Sequence, residues 1–197
     1  AHFLALLHHQ RLRFDERPIE STYLVDQATF VGVHQWNFLQ RMDVLKVAAH
    51  GAVVLINSPH RPDDVWRALP EEAQQQVLER GLQLYTIDAA AVAKDAGLGG
   101  RVNTVMQTCF FALSGVLSTE QAIAALKDAI EHTYGKRGAV IVERNVAAVD
   151  TTLANLHAVP VGAAADSGLH RRPVVPAGST DFVQRVTARM LARASSL

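Results

Sequence analysis

A glycine-rich turn running into an apolar helix is the stretch of this 197-residue chain best suited to chemistry: Gly99-Gly100-Arg101-Val102-Asn103-Thr104-Val105-Met106-Gln107-Thr108-Cys109-Phe110-Phe111. Two glycines end an extended segment. The helix that follows turns free backbone N–H groups and its positive dipole end toward them, which suits a phosphate or another anion. Gly100 and Arg101 stand at the mouth of that turn, although a Gly-Gly turn is also an ordinary connection and a turn arginine is commonly solvated. Asn103 is placed to cap the helix. Asn145, three residues after Val142 and four before Val149, sits on the edge of an apolar seam. A buried amide there needs partners, either neighbouring backbone groups or a ligand. Asn57 and Ser58 end a strand-like run, where open α/β sheets place ligands, and an Asn-Ser-Pro turn accounts for them as well. Cys109 reads as a small hydrophobe with no base nearby. His34 reads as a hydrogen-bonded core or rim histidine, and His8-His9 lack a third ligand at metal spacing.

The elements that must position these groups alternate. Arg11 to Phe14 has strand alternation until Pro18, and Tyr23-Leu24-Val25 and Phe30 to Val33 are short β-type runs. Trp36, Leu39, Val44, Leu45 and Val47 follow helical spacing, with Trp36 as a core anchor. Gly51 to Ile56 is apolar on both faces, as a central parallel strand covered by helices is. Pro62-Asp63-Asp64 opens a helix that carries Trp66 inward, Pro70 interrupts it, and Glu71 to Arg80 resumes until Gly81. Leu82 to Ile87 is the next strand, and Ala89 to Ala96 a short helix leading to the glycine turn. Ser118 caps a helix ending near Gly135, and a further helix spans about Gly138 to His157. Residues 159–178 read as an extended linker, and Ser179-Thr180-Asp181 caps a final helix bearing Phe182, Val183, Val186 and Met190 without a core of its own. The pattern is α/β: a mostly parallel sheet flanked by helices, Rossmann-like and layered, with an extended C-terminal linker.

Acids and bases balance at 19 each and 49% of the residues are apolar. That composition gives no electrostatic case for nucleic acid or an anionic membrane, and no apolar run approaches the ~20 residues that span a bilayer. A single cysteine excludes an intrachain disulfide and an all-cysteine cluster site within this chain, and it favours a reducing, cytoplasmic setting. Phe3 to Leu7 is too short and poorly flanked for a signal peptide and reads as part of something upstream. No Gly-x-Gly-x-x-Gly follows a strand, which argues against an independent nicotinamide enzyme.

Several blocks together resemble a known family. They are Ser21-Thr22-Tyr23-Leu24-Val25, Val33-His34-Gln35, Asp43-Val44-Leu45-Lys46, Asn57-Ser58-Pro59, the whole 99–111 stretch, Thr133-Tyr134-Gly135-Lys136 and Ala147-Ala148-Val149-Asp150. The chain resembles pyruvate:ferredoxin (flavodoxin) oxidoreductase, and more narrowly its third domain, the counterpart of the gamma subunit in split 2-oxoacid:ferredoxin oxidoreductases. The resemblance implies residues 11–158 as a gamma-type domain, 1–10 as a remnant of an upstream segment, and 159–197 as a linker and the start of the next segment. It implies an enzyme that oxidatively decarboxylates pyruvate and passes the acyl unit to coenzyme A. Thiamine diphosphate with magnesium and [4Fe-4S] clusters would be held by other domains, with ferredoxin or flavodoxin as electron acceptor and a homo-oligomeric whole. For this domain it implies docking of those domains and coenzyme A contacts through Asn103 and Asn145, with Gly100 and Arg101 beside them. No residue is implied to be catalytic. The glycine-rich phosphate loop expected before residue 11 has no counterpart, and Asp15-Glu16 replaces the usual Gly-Pro. The competing expectation is a structural interdomain or dimer module with no ligand.

Overall fold

The structure, a computed structural model, describes residues 27–115, 118–173, 175, 178–188 and 190 in full, and of residues 2–5 and 10–13 the backbone alone. The expected strand at Tyr23-Leu24-Val25 and the pair His8-His9 lie outside the described residues. Six strands form one sheet: β1 (His2–Ala5), β2 (Gln10–Arg13), β3 (Ala28–Val33), β4 (Ala48–Asn57), β5 (Gln83–Ile87) and β6 (His157–Ala158), in the order β2-β1-β3-β4-β5-β6. The four middle strands are parallel and the two edges antiparallel. The architecture is therefore the expected α/β, mostly parallel sheet. β1 is a strand of this sheet, paired to β3 on one side and β2 on the other, so the boundary drawn at residue 10 passes between two paired strands.

Side chains alternate between two apolar layers, as the period of a strand requires. Val31, Val33, Val54, Ile56 and Leu84 face α1 (Asn37–Arg41), α2 (Pro62–Ala68) and α3 (Glu71–Arg80), where Leu39, Val65, Leu69 and Val77 are buried with them. Phe30, Leu55 and Ile87 face α4 (Ala89–Asp95), α5 (Asn103–Leu113) and α7 (Ala139–Ala154), meeting Val92, Met106, Cys109, Phe110 and Ala148. Each fully buried Leu or Val side chain contributes about 1.5–3 kcal/mol. α6 (Thr119–Tyr134) is capped by Ser118, whose Oγ accepts the Gln121 N–H at 3.3 Å, and it packs Leu126 and Ile130 on Val149.

Three expectations about these elements change. α1 ends at Arg41 instead of running toward Val47. Met42 is extended, and the Arg80 guanidinium takes the carbonyls of Leu45, Lys46 and Ala48 at 2.9, 2.8 and 2.9 Å, fixing a turn there. The helical spacing of Val44 and Leu45 comes from a turn that points both inward, leaving them 5% and 1% exposed. Trp36 is half-buried at the rim, edge-on to His60 with centroids 4.7 Å apart, while Trp66 is the core anchor. α7 stops at Ala154, and His157–Ala158 become the edge strand β6.

The segment 159–173 has no regular structure, yet it is a strap fixed across α2 and α3. Val159 is buried and donates its N–H to Leu84 O at 2.9 Å. The Gln74 Oε1 accepts the N–H groups of Asp166 and Ser167 at 3.0 and 3.1 Å, and its Nε2 donates to Trp66 O at 2.7 Å. Arg171 reaches Asp43 at 3.2 Å and Gln76 Oε1 at 2.7 Å. At Gly162 a Cβ would stand 2.3 Å from Trp66 Nε1, so only glycine lets the strap lie on the indole. A polar, glycine-containing composition reads as a linker because its partners are side chains distant in sequence.

Candidate functional site

Gly99 and Gly100 lie in a turn between α4 and α5 and do not close an extended segment. The turn is left-handed at Gly97 (φ 71°) and Gly99 (φ 63°), conformations that favour glycine. The stem of Arg144 lies over Gly97, where a Cβ would meet its Cδ and Nε at 3.3 Å. α5 starts one residue earlier than a capping role for Asn103 requires. Val102 occupies the cap position with no side-chain hydrogen bond, and Asn103 is the first helical residue. Arg101 and Asn103 are both exposed, and Asn103 makes no side-chain hydrogen bond to any described residue. The helix therefore presents first-turn N–H groups beside an unspent amide and a guanidinium, a set of donors suited to anionic or carbonyl oxygens.

Asn145 is 3% exposed on α7. Its Nδ2 donates to Ile141 O at 2.8 Å, and its Oδ1 accepts from Thr104 Oγ1 at 3.2 Å. Thr104 in turn receives on its carbonyl the Thr108 hydroxyl at 2.8 Å. The amide thus ties the start of α5 to α7 and sets Asn145 against the residue after Asn103. Thr104 and Arg144 are the members that sequence reasoning passed over. Thr104 lay inside the quoted block, but nothing in the sequence pairs Arg144 with Gly97.

Asn57 and Ser58 stand elsewhere, at the carboxyl end of β4. The Asn57 Nδ2 donates to His34 O and its Oδ1 accepts the Ala89 N–H, both at 3.0 Å, joining β3 to the start of α4. Ser58 is 1% exposed and its Oγ accepts the His60 N–H at 3.0 Å. Nearby, His34 has a buried Nδ1 with no hydrogen-bond partner among the described residues, and burial lowers its pKa from 6.5, favouring the neutral ring. An open cleft of about 230 Å³ follows, lined by Pro59, His60, Thr86, Asp88, Asn155 and His157. It opens at the C-terminal end of α7, ten residues and about 15 Å along the helix from Asn145. The two groups of sequence-selected residues form two places, not one.

Cys109 is fully buried and burial pushes its thiol up to about 12. It packs as a hydrophobe and fits neither a nucleophile nor one ligand of a four-thiolate cluster. Among the described residues, no three His, Cys, Asp or Glu side chains gather at metal-binding distance, and no helix is long and apolar enough to cross a membrane.

Residues 9–154 match the family model described as pyruvate ferredoxin/flavodoxin oxidoreductase. The chain is 51% identical over 183 residues to a putative pyruvate-flavodoxin oxidoreductase of Synechocystis, covering 92% of this chain and 15% of that protein. It is 56% identical over 150 residues to the pyruvate-flavodoxin oxidoreductase of Nostoc, covering 76% and 12% respectively. With the pyruvate:ferredoxin oxidoreductase of Moorella thermoacetica the identity is 34%, over 89% of this chain and 15% of that protein. The crystal structure of pyruvate oxidoreductase subunit PORC from Thermotoga maritima shares the fold, with a TM-score of 0.52 at 14% identity over 69% of this chain and 67% of that one. The chain thus spans about a seventh of the length of these curated relatives.

Proposed function

The chain belongs to the pyruvate ferredoxin/flavodoxin oxidoreductase family, and we propose that it works as the gamma-type domain of a multidomain enzyme converting pyruvate to acetyl-coenzyme A. In this reading the domain binds coenzyme A and docks the domains that carry thiamine diphosphate and iron–sulfur clusters. The decarboxylation and the electron transfer to ferredoxin or flavodoxin take place on those other domains. This chain's own residues bind and orient.

The observation that carries the reading is the hydrogen bond between Thr104 and Asn145, 41 residues apart. It holds α7 against a helix start whose Arg101 and Asn103 are exposed. Gly100, Arg101 and Asn103 contact coenzyme A directly, Arg101 through a phosphate. Asn145, already bonded on both ends of its amide, uses its remaining N–H toward the ligand while fixing α5. Asn57 and Ser58 have their bonds within the fold and act at most as the framing of a second edge. Their internal bonding is what favours the competing reading of a structural module without a ligand.

Steady-state kinetics of the intact enzyme separate the two. Asn103→Ala raises the KM for coenzyme A about tenfold, the loss of one hydrogen bond near 1.4 kcal/mol, and leaves the KM for pyruvate unchanged. A coenzyme A KM indifferent to both Asn103→Ala and Arg101→Ala would remove the ligand assignment and leave the structural module.

A further inference from the structure

Beyond the strap, one apolar row has nothing to pack on among the described residues. A π-helical turn, Val183–Thr187, continues the helical backbone of Asp181 and Phe182. Phe182, Val186 and Met190 stand at i, i+4 and i+8, and are 68%, 41% and 66% exposed. The other large exposed hydrophobics, such as Leu78 and Val140, are not spaced as a row. The polar side of the turn is bonded within itself: Arg185 pairs with Asp181 at 3.2 Å, and Gln184 Nε2 donates to Ser179 O at 3.1 Å. The segment is thus amphipathic, with its charges paired away from the apolar row.

We propose that the row formed by Phe182, Val186 and Met190 seats in an apolar groove on another domain of the same polypeptide. The proposal rests on the reading of this chain as one domain of a multidomain enzyme. The size of the row selects a tethered occupant. Three side chains offer on the order of 300 Å², whereas a stable complex of separate chains buries about 800 Å² per partner. A tethered partner meets the row at an effective concentration in the millimolar range, so a small face suffices. The relatives supply the tethered mass, since this chain matches only 15% of the Synechocystis protein.

The test uses the intact enzyme with a benzophenone cross-linking residue placed at Phe182, at Met190 or, as a control on the polar side, at Gln184. Irradiation is expected to give cross-links within single polypeptides, mapped to peptides outside residues 1–197, with yields at Phe182 and Met190 at least tenfold above that at Gln184 and independent of dilution. In parallel, Phe182→Asp speeds amide exchange across 181–190 at least tenfold, with the KM for coenzyme A unchanged. Equal yields on both sides, cross-links joining two polypeptides, or cross-links formed only to added anionic vesicles would each overturn the proposal. The coenzyme A kinetics of Asn103→Ala report separately. Their failure with cross-linking intact removes the ligand assignment alone, and the converse removes the docking face alone.

Discussion

On the side of the sheet covered by α1, α2 and α3, three polar side chains reach partners distant in sequence. Gln74 holds the strap and α2, Arg80 holds three carbonyls of the turn after α1, and Arg171 joins Asp43 and Gln76. Desolvation pushes the Glu72 carboxyl up, but the N–H groups of Glu72 and Arg171 and the charges of His170 and Arg171 outweigh it and hold the carboxyl below its usual range. On the side covered by α4 to α7, Asn145 is bonded inside while Arg101 and Asn103, within three residues of its partner Thr104, face solvent. Most buried polar groups are paired where they lie, and exposed ones are free to meet a ligand. The first side is closed by its own strap, and the second keeps donors available.

The sharpest way to break that contrast is Gln74→Leu. It removes a fully buried amide and strands two strap N–H groups and the Trp66 carbonyl. Chemical denaturation is expected to show a loss of about 3 kcal/mol, and a loss under about 1 kcal/mol would mean the strap does not close this side.

On the other side, Asn145→Ala costs about 2 kcal/mol because it unties α5 from α7, whereas Asn103→Ala stays within about 0.5 kcal/mol of the parent. Equal stability losses for the two would erase the distinction between a positioning amide and an available one.

The smallest effect is a pH slope at His34. Its folded pKa lies below the unfolded 6.5, so the unfolded chain takes up the proton first as the pH falls. The contribution is complete above 6.5 and lost as the pH falls from there through the lowered folded value. His34→Phe should flatten the stability curve in that window. A slope identical to that of the parent would show the ring is not held neutral by burial.

Much of the scaffold was legible because local periodicity carried it. The apolar run 51–56, the Pro62 start, the Gly81 stop and the Ser118 cap each follow from a few neighbouring residues. The errors fall where a distant side chain decides. Arg80 converts apparent helix at 44–47 into a turn, and β5 captures residues 157–158 as a strand. The candidate site was half legible. The glycine block marked α5, but Asn103 lies inside the helix rather than at its cap, and Arg144 over Gly97 has no local signal.

By itself the sequence determined the α/β class, the two-layer alternation of the strands and the family blocks, since these rest on periods of two and 3.6 and on contiguous residues. Tertiary structure alone decided which polar groups are spent and which remain. The 99–103 turn became one corner with Asn145 through a bond spanning 41 residues, and the apparent linker became a strap through Gln74, more than ninety residues away. Hydrogen bonds between residues so far apart exist only once the chain is folded, and no local pattern encodes them.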